Sequence, residues 1–526
     1  MAAISTFNPI PPATLLSVQP WMDSNGVESV DFWIVEAKFR VSLNHKTMNE
    51  FNDLSLTLTA RIVLGQKAMQ KSLSEAEFGE YVSKSTEGAR VFLCGGPGDE
   101  NPPDRNPEFN DWYTSKGDIL VYLDYRGTGS SVEICNSAGV VNRECNHFMR
   151  LLRPQDDPSN MDIQLTSGEA IRMSRFLKLF RQDNIVRDLE AIRACLQDTQ
   201  PWRIFGQSYG GWISLSYLSM YPKSLKDAVI TAGLPPNRTA DETYQTLFNV
   251  VIARNDEFYG VYPDDIERVK LIVLFLVSTP PHTASGYLLP TTGTLSAQRF
   301  LCLGRNLGSR ARWAELHDLI WTMWMDVTVL GLFRPSTLVM YEQVETWRFD
   351  KRPLYAVLHE AMYATSGYFT NWSAERVAAK LPQFRWARRD SGGREWKQTL
   401  VDMCCLGDDT DKIYFSGEMI YPFFFSTHRA LRPLWNVANA LANGTWTADL
   451  YDRSLEWNTV PVQAISYQSD MHVNPTLSQE TANHVKGIRH QVLDTLTHNS
   501  NTYQLEHGSI RAAGAATALV NHLTTF

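Results

Sequence analysis

The chain has 526 residues and a mass of 59.7 kDa, of which 44% are hydrophobic, 20% charged and 11% aromatic. This composition is typical of globular proteins and excludes a disordered, collagen-like or coiled-coil chain. There are 49 basic and 57 acidic side chains, and the resulting net charge of −8 disfavours nucleic acid as the main partner. The 7 cysteines show neither a C-x-x-C pair nor zinc-ligand spacing, so we expect free thiols in a reducing compartment.

The ends of the sequence and its apolar runs bear on localisation. The N-terminus lacks the basic region of a secretory signal, and prolines interrupt it before an apolar stretch forms. The longest apolar run, residues 271–277, is far shorter than the ~20 residues that span a bilayer. We therefore expect a cytoplasmic protein that does not associate with membranes.

Residues 1–235 begin with strand patterns and continue as a strand–helix alternation. Apolar runs with β-branched and aromatic residues predict strands over residues 32–41, 54–63, 90–93, 119–123 and 202–205. Apolar residues at helical spacing predict helices over residues 183–196 and 211–220. Asp183 is expected to cap the first of these helices. This alternation predicts the α/β class with a doubly wound, mostly parallel sheet.

Residues 236–430 have a different pattern, and the α/β pattern returns over residues 431–526. Helical patterns dominate the middle part, at residues 264–277, 311–325 and 374–381. The last part has a predicted strand over residues 460–467 and a helix over residues 478–487. A helical block between two α/β segments is best interpreted as a cap domain, inserted over the C-terminal edge of the sheet.

The sharpest local signal is G-Q-S-Y-G at residues 206–210. It follows an apolar strand and precedes a helix pattern, which is the setting of a nucleophile elbow; the alternative is an ordinary glycine-rich turn. The strained turn requires small residues at 206 and 210. It presents the hydroxyl of Ser208 at a helix N-terminus, where developing negative charge is stabilised.

A second glycine-rich element, C-G-G-P-G at residues 94–98, follows the predicted strand 90–93. Alone, it fits a flexible turn equally well. Beside the elbow it predicts an oxyanion hole in which the backbone at Gly95 or Gly96 supplies one N–H and Tyr209 supplies the other.

These motifs resemble the proline iminopeptidase family of α/β-hydrolases. The resemblance includes D-Y-R-G-T-G-S at residues 124–130 and, in its fungal and actinobacterial branch, five further segments: residues 262–265, 295–300, 359–363, 371–376 and 417–422. It runs from about residue 30 to the end of the chain. It implies an α/β-hydrolase fold with a large helical cap, and an aminopeptidase that needs no metal or organic cofactor.

The remaining catalytic residues are expected downstream, since the chain order in this fold is serine, acid, histidine. Asp470 follows the predicted strand 460–467, and the family has a D-M-Y-V-type sequence there; the alternative is a solvated loop aspartate. His507 lies in a segment that resembles the E-H-S-G-[LI]-R loop of the family, and His498 is the alternative. In this prediction Ser208 attacks, His507 transfers the proton and Asp470 orients the imidazole.

Two glutamates of the predicted cap are candidates for substrate binding. The resemblance implies that Glu360 and Glu418 face the α-ammonium of the substrate, which needs acidic partners in a water-poor cleft. The alternative for either is a surface position, or an ion pair with Arg352 or Arg376. The chain also departs from the better-known members, which carry histidine or glutamine at Cys94, glutamine at Tyr125 and commonly aspartate at Asn474.

The leading hypothesis is a serine hydrolase that removes N-terminal residues, preferably proline, from short peptides. The departures favour an alternative, a specialised esterase, amidase or acyl-transfer enzyme acting on a non-peptide metabolite, which would not need the two glutamates. A third hypothesis, a non-catalytic binding protein on the same fold, is disfavoured by the intact triad. An oligomeric state is not predicted.

Overall fold

The computed structural model describes residues 9–494 except 24, 30, 46–49, 67–73, 84–88, 106, 137, 199, 279–286, 389–394, 406–411, 447–449 and 452. The strands in these ranges are β1 Thr14–Pro20, β2 Phe32–Ser42, β3 Leu54–Gln66, β4 Ala89–Leu93, β5 Ile119–Leu123, β6 Glu133–Asn136, β7 Trp202–Gln207, β8 Leu225–Thr231, β9 Tyr287–Leu288, β10 Thr294–Leu295, β11 Val462–Tyr467 and β12 Ile488–Leu493. The α-helices are α1 Glu75–Ser83, α2 Pro107–Thr114, α3 Arg143–Leu151, α4 Ser167–Leu177, α5 Gln182–Gln197, α6 Tyr209–Met220, α7 Ala240–Val261, α8 Asp265–Ser278, α9 Ala297–Leu301, α10 Trp313–Met325, α11 Pro335–Val344, α12 Pro353–Leu358, α13 Ser373–Ala378, α14 Glu395–Cys405, α15 Phe424–Thr427, α16 Trp435–Asn443 and α17 Pro475–Ala482.

One mixed sheet organises the fold, in the order β1-β2-β3-β5-β4-β7-β8-β11-β12, with β6 paired to β3. The strands β1, β2 and β3 are antiparallel, and all pairs from β5 to β12 are parallel. Strands β4, β5 and β11 are buried along their whole length, as strands covered by helices on both faces should be. The predicted α/β class with a doubly wound, mostly parallel sheet is confirmed.

The carboxyl ends of the parallel strands meet at one edge of the sheet, which is where sites form in this class of fold. Strand β4 ends at Leu93, β7 at Gln207 and β11 at Tyr467, so the candidate residues that follow these strands emerge at the same edge. In sequence, the helices from α7 to α16 lie between β8 and β11, together with the two-residue strands β9 and β10. The boundaries of a separate cap domain at residues 236 and 430 stay a prediction.

A buried network of four charges joins the opposite, amino-terminal ends of four strands. Arg90 of β4 contacts Asp118, directly before β5, at 3.1 Å, and Asp227 of β8 at 3.4 Å. Arg203 of β7 contacts the same two aspartates, at 2.8 and 3.1 Å. Each cation therefore bridges both anions, which satisfies charges that would be costly to bury alone.

Two predicted helix starts are wrong. Asp183 does not cap α5, since Arg181 occupies the N-cap position, and the Asp183 carboxylate is instead buried between Arg181 and Arg187, at 3.1 Å from each. The helix expected over residues 478–487 begins at Pro475. It starts earlier because the side chain of Asn474 accepts the first free N–H groups and proline is favourable at the first helical position.

The remaining expectations concern cysteines and membranes. The seven cysteines all lie within the described ranges, and none forms a disulfide there. Among the same residues, no helix has the length and apolar character that crossing a bilayer requires.

Candidate active site

Ser208 lies on a sharp turn between β7 and α6. Its backbone has φ 52° and ψ −121°, a conformation that a non-glycine residue adopts only when its surroundings impose it. It follows Gln207, the last residue of β7, and is the N-cap residue of α6, so the N-terminal amides of the helix lie next to it. The predicted strand–turn–helix arrangement around Ser208 is therefore present.

Close backbone packing explains the glycines on both sides of the serine. A Cβ added to Gly206 would lie 2.4 Å from the carbonyl oxygen of Gly210, and one added to Gly210 would lie 2.0 Å from that of Leu93. Real Cβ atoms do not approach oxygen this closely. Both positions require glycine, because Gly206 is pressed against the first turn of α6 and Gly210 against the end of β4.

The glycine-rich loop after β4 lies directly beside Ser208. A Cβ built on Gly95 would be 3.4 Å from the Cβ of Ser208 and 3.7 Å from its Oγ. Tyr125 is buried and donates a hydrogen bond from its hydroxyl to the carbonyl oxygen of Cys94 at 3.1 Å, which supports this loop. Tyr209, the first residue of α6, follows Ser208 directly. The structure thus brings Gly95 and Tyr209 to the serine from two different elements.

Asp470 follows β11, one strand beyond β8 in the sheet. Its Oδ1 atom accepts the backbone N–H groups of His472 at 2.7 Å and Val473 at 3.0 Å, and the residue is 1% exposed. It is a buried and well-oriented carboxylate, not a solvated loop residue. The histidine candidates His507 and His498 lie outside the described residues.

A cavity of about 910 Å³ opens over Ser208. Gly95 and Gly96 of the loop line it, and so do residues from the segment between β8 and β11. Among the residues of this segment that line the cavity are Arg305, Arg348, Lys351, Arg352, Tyr355 and Glu418.

Glu418 lies in this cavity and is already in contact with three neighbours. Its Oε1 accepts from Arg305 Nε at 2.9 Å and from the Tyr355 hydroxyl at 2.5 Å, and its Oε2 lies 2.8 Å from Nδ1 of His472. Burial acts to raise the pKa of this carboxyl, but the neighbouring His472 and Arg305 outweigh it, and the pKa is held well below its usual value. These neighbours therefore favour the carboxylate form of Glu418 in the site.

Glu360 does not join Glu418. It lines a separate cavity of about 20 Å³, and its carboxylate accepts the backbone N–H groups of Ser373 at 3.2 Å and Ala374 at 3.0 Å at the start of α13. Burial raises its pKa to about 7. Neither arginine considered as a partner pairs with it, since Arg376 binds Asp241 and Arg352 binds Asp99.

Sequence reasoning missed three residues that surround Glu418. Arg305 and Tyr355 carried no local motif, and their role depends on packing between distant segments. His472 lies two residues after Asp470 in the sequence, and no separate motif there indicates a role of its own. Its side chain nevertheless lines the cavity with Ser208.

Known proteins and families agree with this architecture. A family model described as "alpha/beta hydrolase fold" matches residues 120–263, which include the elbow. The chain is 29% identical to a proline iminopeptidase from Aeromonas sobria over 412 residues, covering 78% of this chain and 83% of that protein. It is 28% identical over 420 residues to the proline iminopeptidase aneH from Aspergillus aculeatus, covering 78% and 81%.

Among solved structures, an esterase from Thermogutta terrifontis is 10% identical to the chain, with a TM-score of 0.36 over 92% of this chain and 97% of that one. A likeness at that score does not bear on the assignment. The assignment follows from the strand order, the family model and the two relatives. The chain is a proline iminopeptidase-like α/β-hydrolase.

Proposed function

We propose that the chain is a serine hydrolase that removes an N-terminal residue, preferably proline, from short peptides through an acyl-enzyme on Ser208. The observation that carries this proposal is the position of Ser208, on a strained elbow beside Gly95 and at the base of the 910 Å³ cavity. The similarity to two proline iminopeptidases over about four fifths of the length of each supports the reaction class.

In the proposed mechanism Ser208 attacks the carbonyl of the first residue, and His507 accepts its proton and delivers it to the leaving amine. Asp470 orients the imidazole. The backbone N–H of Tyr209 and one from the Gly95–Gly96 loop stabilise the oxyanion. Water then hydrolyses the ester on Ser208 and regenerates the enzyme.

We further propose that Glu418 binds the α-ammonium of the substrate. Of the two candidate glutamates, Glu360 and Glu418, it is the one that lines the same cavity as Ser208, and its neighbours favour its carboxylate form. A carboxylate offers about four acceptor positions, so three existing contacts leave room for one more donor. Glu360 would act on the substrate only indirectly, through the packing of α13.

A second candidate is an esterase, amidase or acyl-transfer enzyme acting on a non-peptide metabolite. It is favoured by one observation, which is that Arg305 and His472 already stand beside the carboxylate that would bind the amine. A substrate without an amine would leave this cluster undisturbed.

The two functions are distinguished by turnover of a matched substrate panel. The panel contains prolyl and alanyl anilides, an N-blocked prolyl anilide and a simple phenyl ester. Under the first proposal the free prolyl anilide has the highest kcat/KM and the blocked one is not cleaved. If only the ester is cleaved, the peptidase proposal is wrong and the second candidate function takes its place.

The role of Ser208 is tested separately. Ser208→Ala should abolish turnover of every substrate and labelling by a serine-directed phosphonate. Ser219→Ala, near the other end of α6, is the matched control and should retain both. Persistent labelling of Ser208→Ala would show that another residue is the nucleophile.

A further inference from the structure

The cavity over Ser208 is richer in cations than in anions, although the chain as a whole carries a net charge of −8. The basic residues that line it are Arg153, Arg305, Arg312, Arg348, Lys351 and Arg352, and the acidic residues are Asp99, Glu100 and Glu418. Two of these acids pair with cations of the cavity, Glu418 with Arg305 at 2.9 Å and Asp99 with Arg352 at 2.7 Å. Arg153 and Arg312 pair with Asp156 and Glu315, which do not line the cavity. The cations that remain for a ligand are Arg348 and Lys351, opposite in sign to the net charge of the protein.

Arg348 lies at a turn of the chain beside the cavity. Its neighbours Trp347 and Phe349 are both 1% exposed, and their rings stack with centroids 5.4 Å apart. Arg348 lies between these two buried residues and has a left-handed φ of 48°. Its own side chain remains exposed and lines the cavity.

Lys351 belongs to the same turn. Its backbone N–H and that of Arg352 donate to the carbonyl oxygen of Arg348 at 3.0 and 3.2 Å. The Arg352 side chain then binds both carboxylate oxygens of Asp99, which follows the glycine loop beside Ser208. The turn is thus tied to the loop that flanks the nucleophile, and in the described part of the chain neither Arg348 nor Lys351 forms an ion pair.

We propose that Arg348 and Lys351 bind an anionic group on the leaving side of the substrate, the C-terminal carboxylate of a di- or tripeptide. The choice of a peptide carboxylate rests on the proposed function. The amine end of such a substrate is directed to Glu418, so its carboxylate end extends toward the remaining cations. An acidic substituent on a non-peptide leaving group has the same chemistry and fits the same two side chains.

Electrostatic attraction to an open cleft raises the rate of association and decreases with ionic strength. For the wild type we therefore expect a higher kcat/KM for an acid than for its neutral amide, with a difference that shrinks in salt. Because both cations are exposed, the expected advantage is modest, about 3- to 5-fold for each side chain.

The test compares prolylglycine with prolylglycinamide. The variants are Arg348→Asn, which tolerates the left-handed backbone, Lys351→Ala and the double variant. We expect the acid-to-amide ratio of kcat/KM to fall about 10-fold in the double variant at low salt, with the amide unchanged. Lys223→Ala, an exposed lysine outside the cavity, should leave the ratio at the wild-type value.

A second substrate pair separates this proposal from the peptidase assignment. It consists of 4-acetoxybenzoate and 4-acetoxybenzamide, esters without an amine whose leaving groups differ in charge. If prolyl substrates are not cleaved but the double variant lowers the benzoate-to-benzamide ratio, the peptidase assignment fails and the anion site stands with an acidic non-peptide leaving group. An acid-to-neutral ratio that is the same in the wild type and the double variant overturns the anion site.

Discussion

Nδ1 of His472 lies 2.8 Å from Oε2 of Glu418, and this contact links the loop that carries Asp470 to the segment that would bind the substrate amine. The two side chains line the cavity together with Ser208. The imidazole occupies one oxygen of the carboxylate that a substrate ammonium would also use. This contact therefore limits how well the site accepts an amine.

Replacement of His472 by asparagine should improve binding of amine-bearing substrates. The variant removes the imidazole that contacts Oε2 of Glu418 and leaves Arg305 in place. We expect KM for free prolyl anilide to fall severalfold, with kcat/KM for a simple ester unchanged. Equal changes for both substrates would mean that the substitution disturbs Ser208 and not amine binding.

Gly206→Ala should destabilise the protein and remove its activity. The new Cβ would lie 2.4 Å from the carbonyl oxygen of Gly210, so β7 and α6 must separate, at a cost of about 1–3 kcal/mol or more. Gly79→Ala in α1 is the control, since nothing lies within 4 Å of its Cβ and helix propensity favours alanine by about 0.5–1 kcal/mol. Chemical denaturation measures both.

Asp470→Asn should lower activity strongly without unfolding the loop. Asparagine retains an oxygen that can accept the N–H groups of His472 and Val473, but it favours the wrong imidazole tautomer. We expect kcat to fall by about 10⁴-fold, as for such changes in other serine hydrolases. The control is Asp494→Asn, an exposed aspartate after β12. A fall of less than 10-fold in Asp470→Asn would assign the orienting carboxylate to another residue.

The two histidine candidates are separated by paired variants. His507→Ala should lower kcat by roughly 10⁶-fold, the effect of losing a general base in such a triad, while His498→Ala should retain activity. Phosphonate labelling of Ser208 should also be lost in His507→Ala. The reverse result would assign the base to His498.

Glu360 should make stability depend on pH. Its carboxyl has a pKa of about 7 in the folded protein against an ordinary value of 4.5, so the folded state binds a proton more tightly than the unfolded state. Its contribution to stability is complete below pH 4.5 and is lost as the pH rises through 7. Between pH 4.5 and pH 7 the free energy of unfolding of the wild type should therefore fall by on the order of 3 kcal/mol relative to that of Glu360→Gln.

Denaturation of the wild type and Glu360→Gln at both pH values checks this, because the other titrating groups cancel in the difference. Glu315→Gln, an exposed position on α10, should show no such pH dependence. If the difference in the free energy of unfolding between the wild type and Glu360→Gln is the same at both pH values, the carboxyl keeps its ordinary pKa.

Local patterns predicted the elbow and the sheet well. Strand β5 has the predicted bounds, and the turn at Ser208 follows from glycines that only one geometry accommodates. These features depend on residues that are neighbours in the sequence. The pairing of Glu418 with Arg305 and His472 joins segments that are more than 50 residues apart, and no periodicity encodes it.

The placement of Glu360 shows the same limit. Its motif resembles that of the family, yet whether a glutamate reaches the cavity depends on how α13 packs, and here the backbone of α13 binds its carboxylate. The helix start at Pro475 was accessible from the sequence, since Asn474 followed by proline is a typical N-terminal signal.

The four-charge network at the far end of the sheet has a consequence for the active site. Arg90 and Arg203 tie β4 and β7 to the same two aspartates, so neither strand can slide along the other without breaking ion pairs on both. Gly95 and Ser208 lie just beyond the opposite ends of these strands. A displacement by one residue would carry the glycine loop about 3.3 Å away from the nucleophile. The network thus fixes, from across the sheet, the alignment on which the oxyanion site depends.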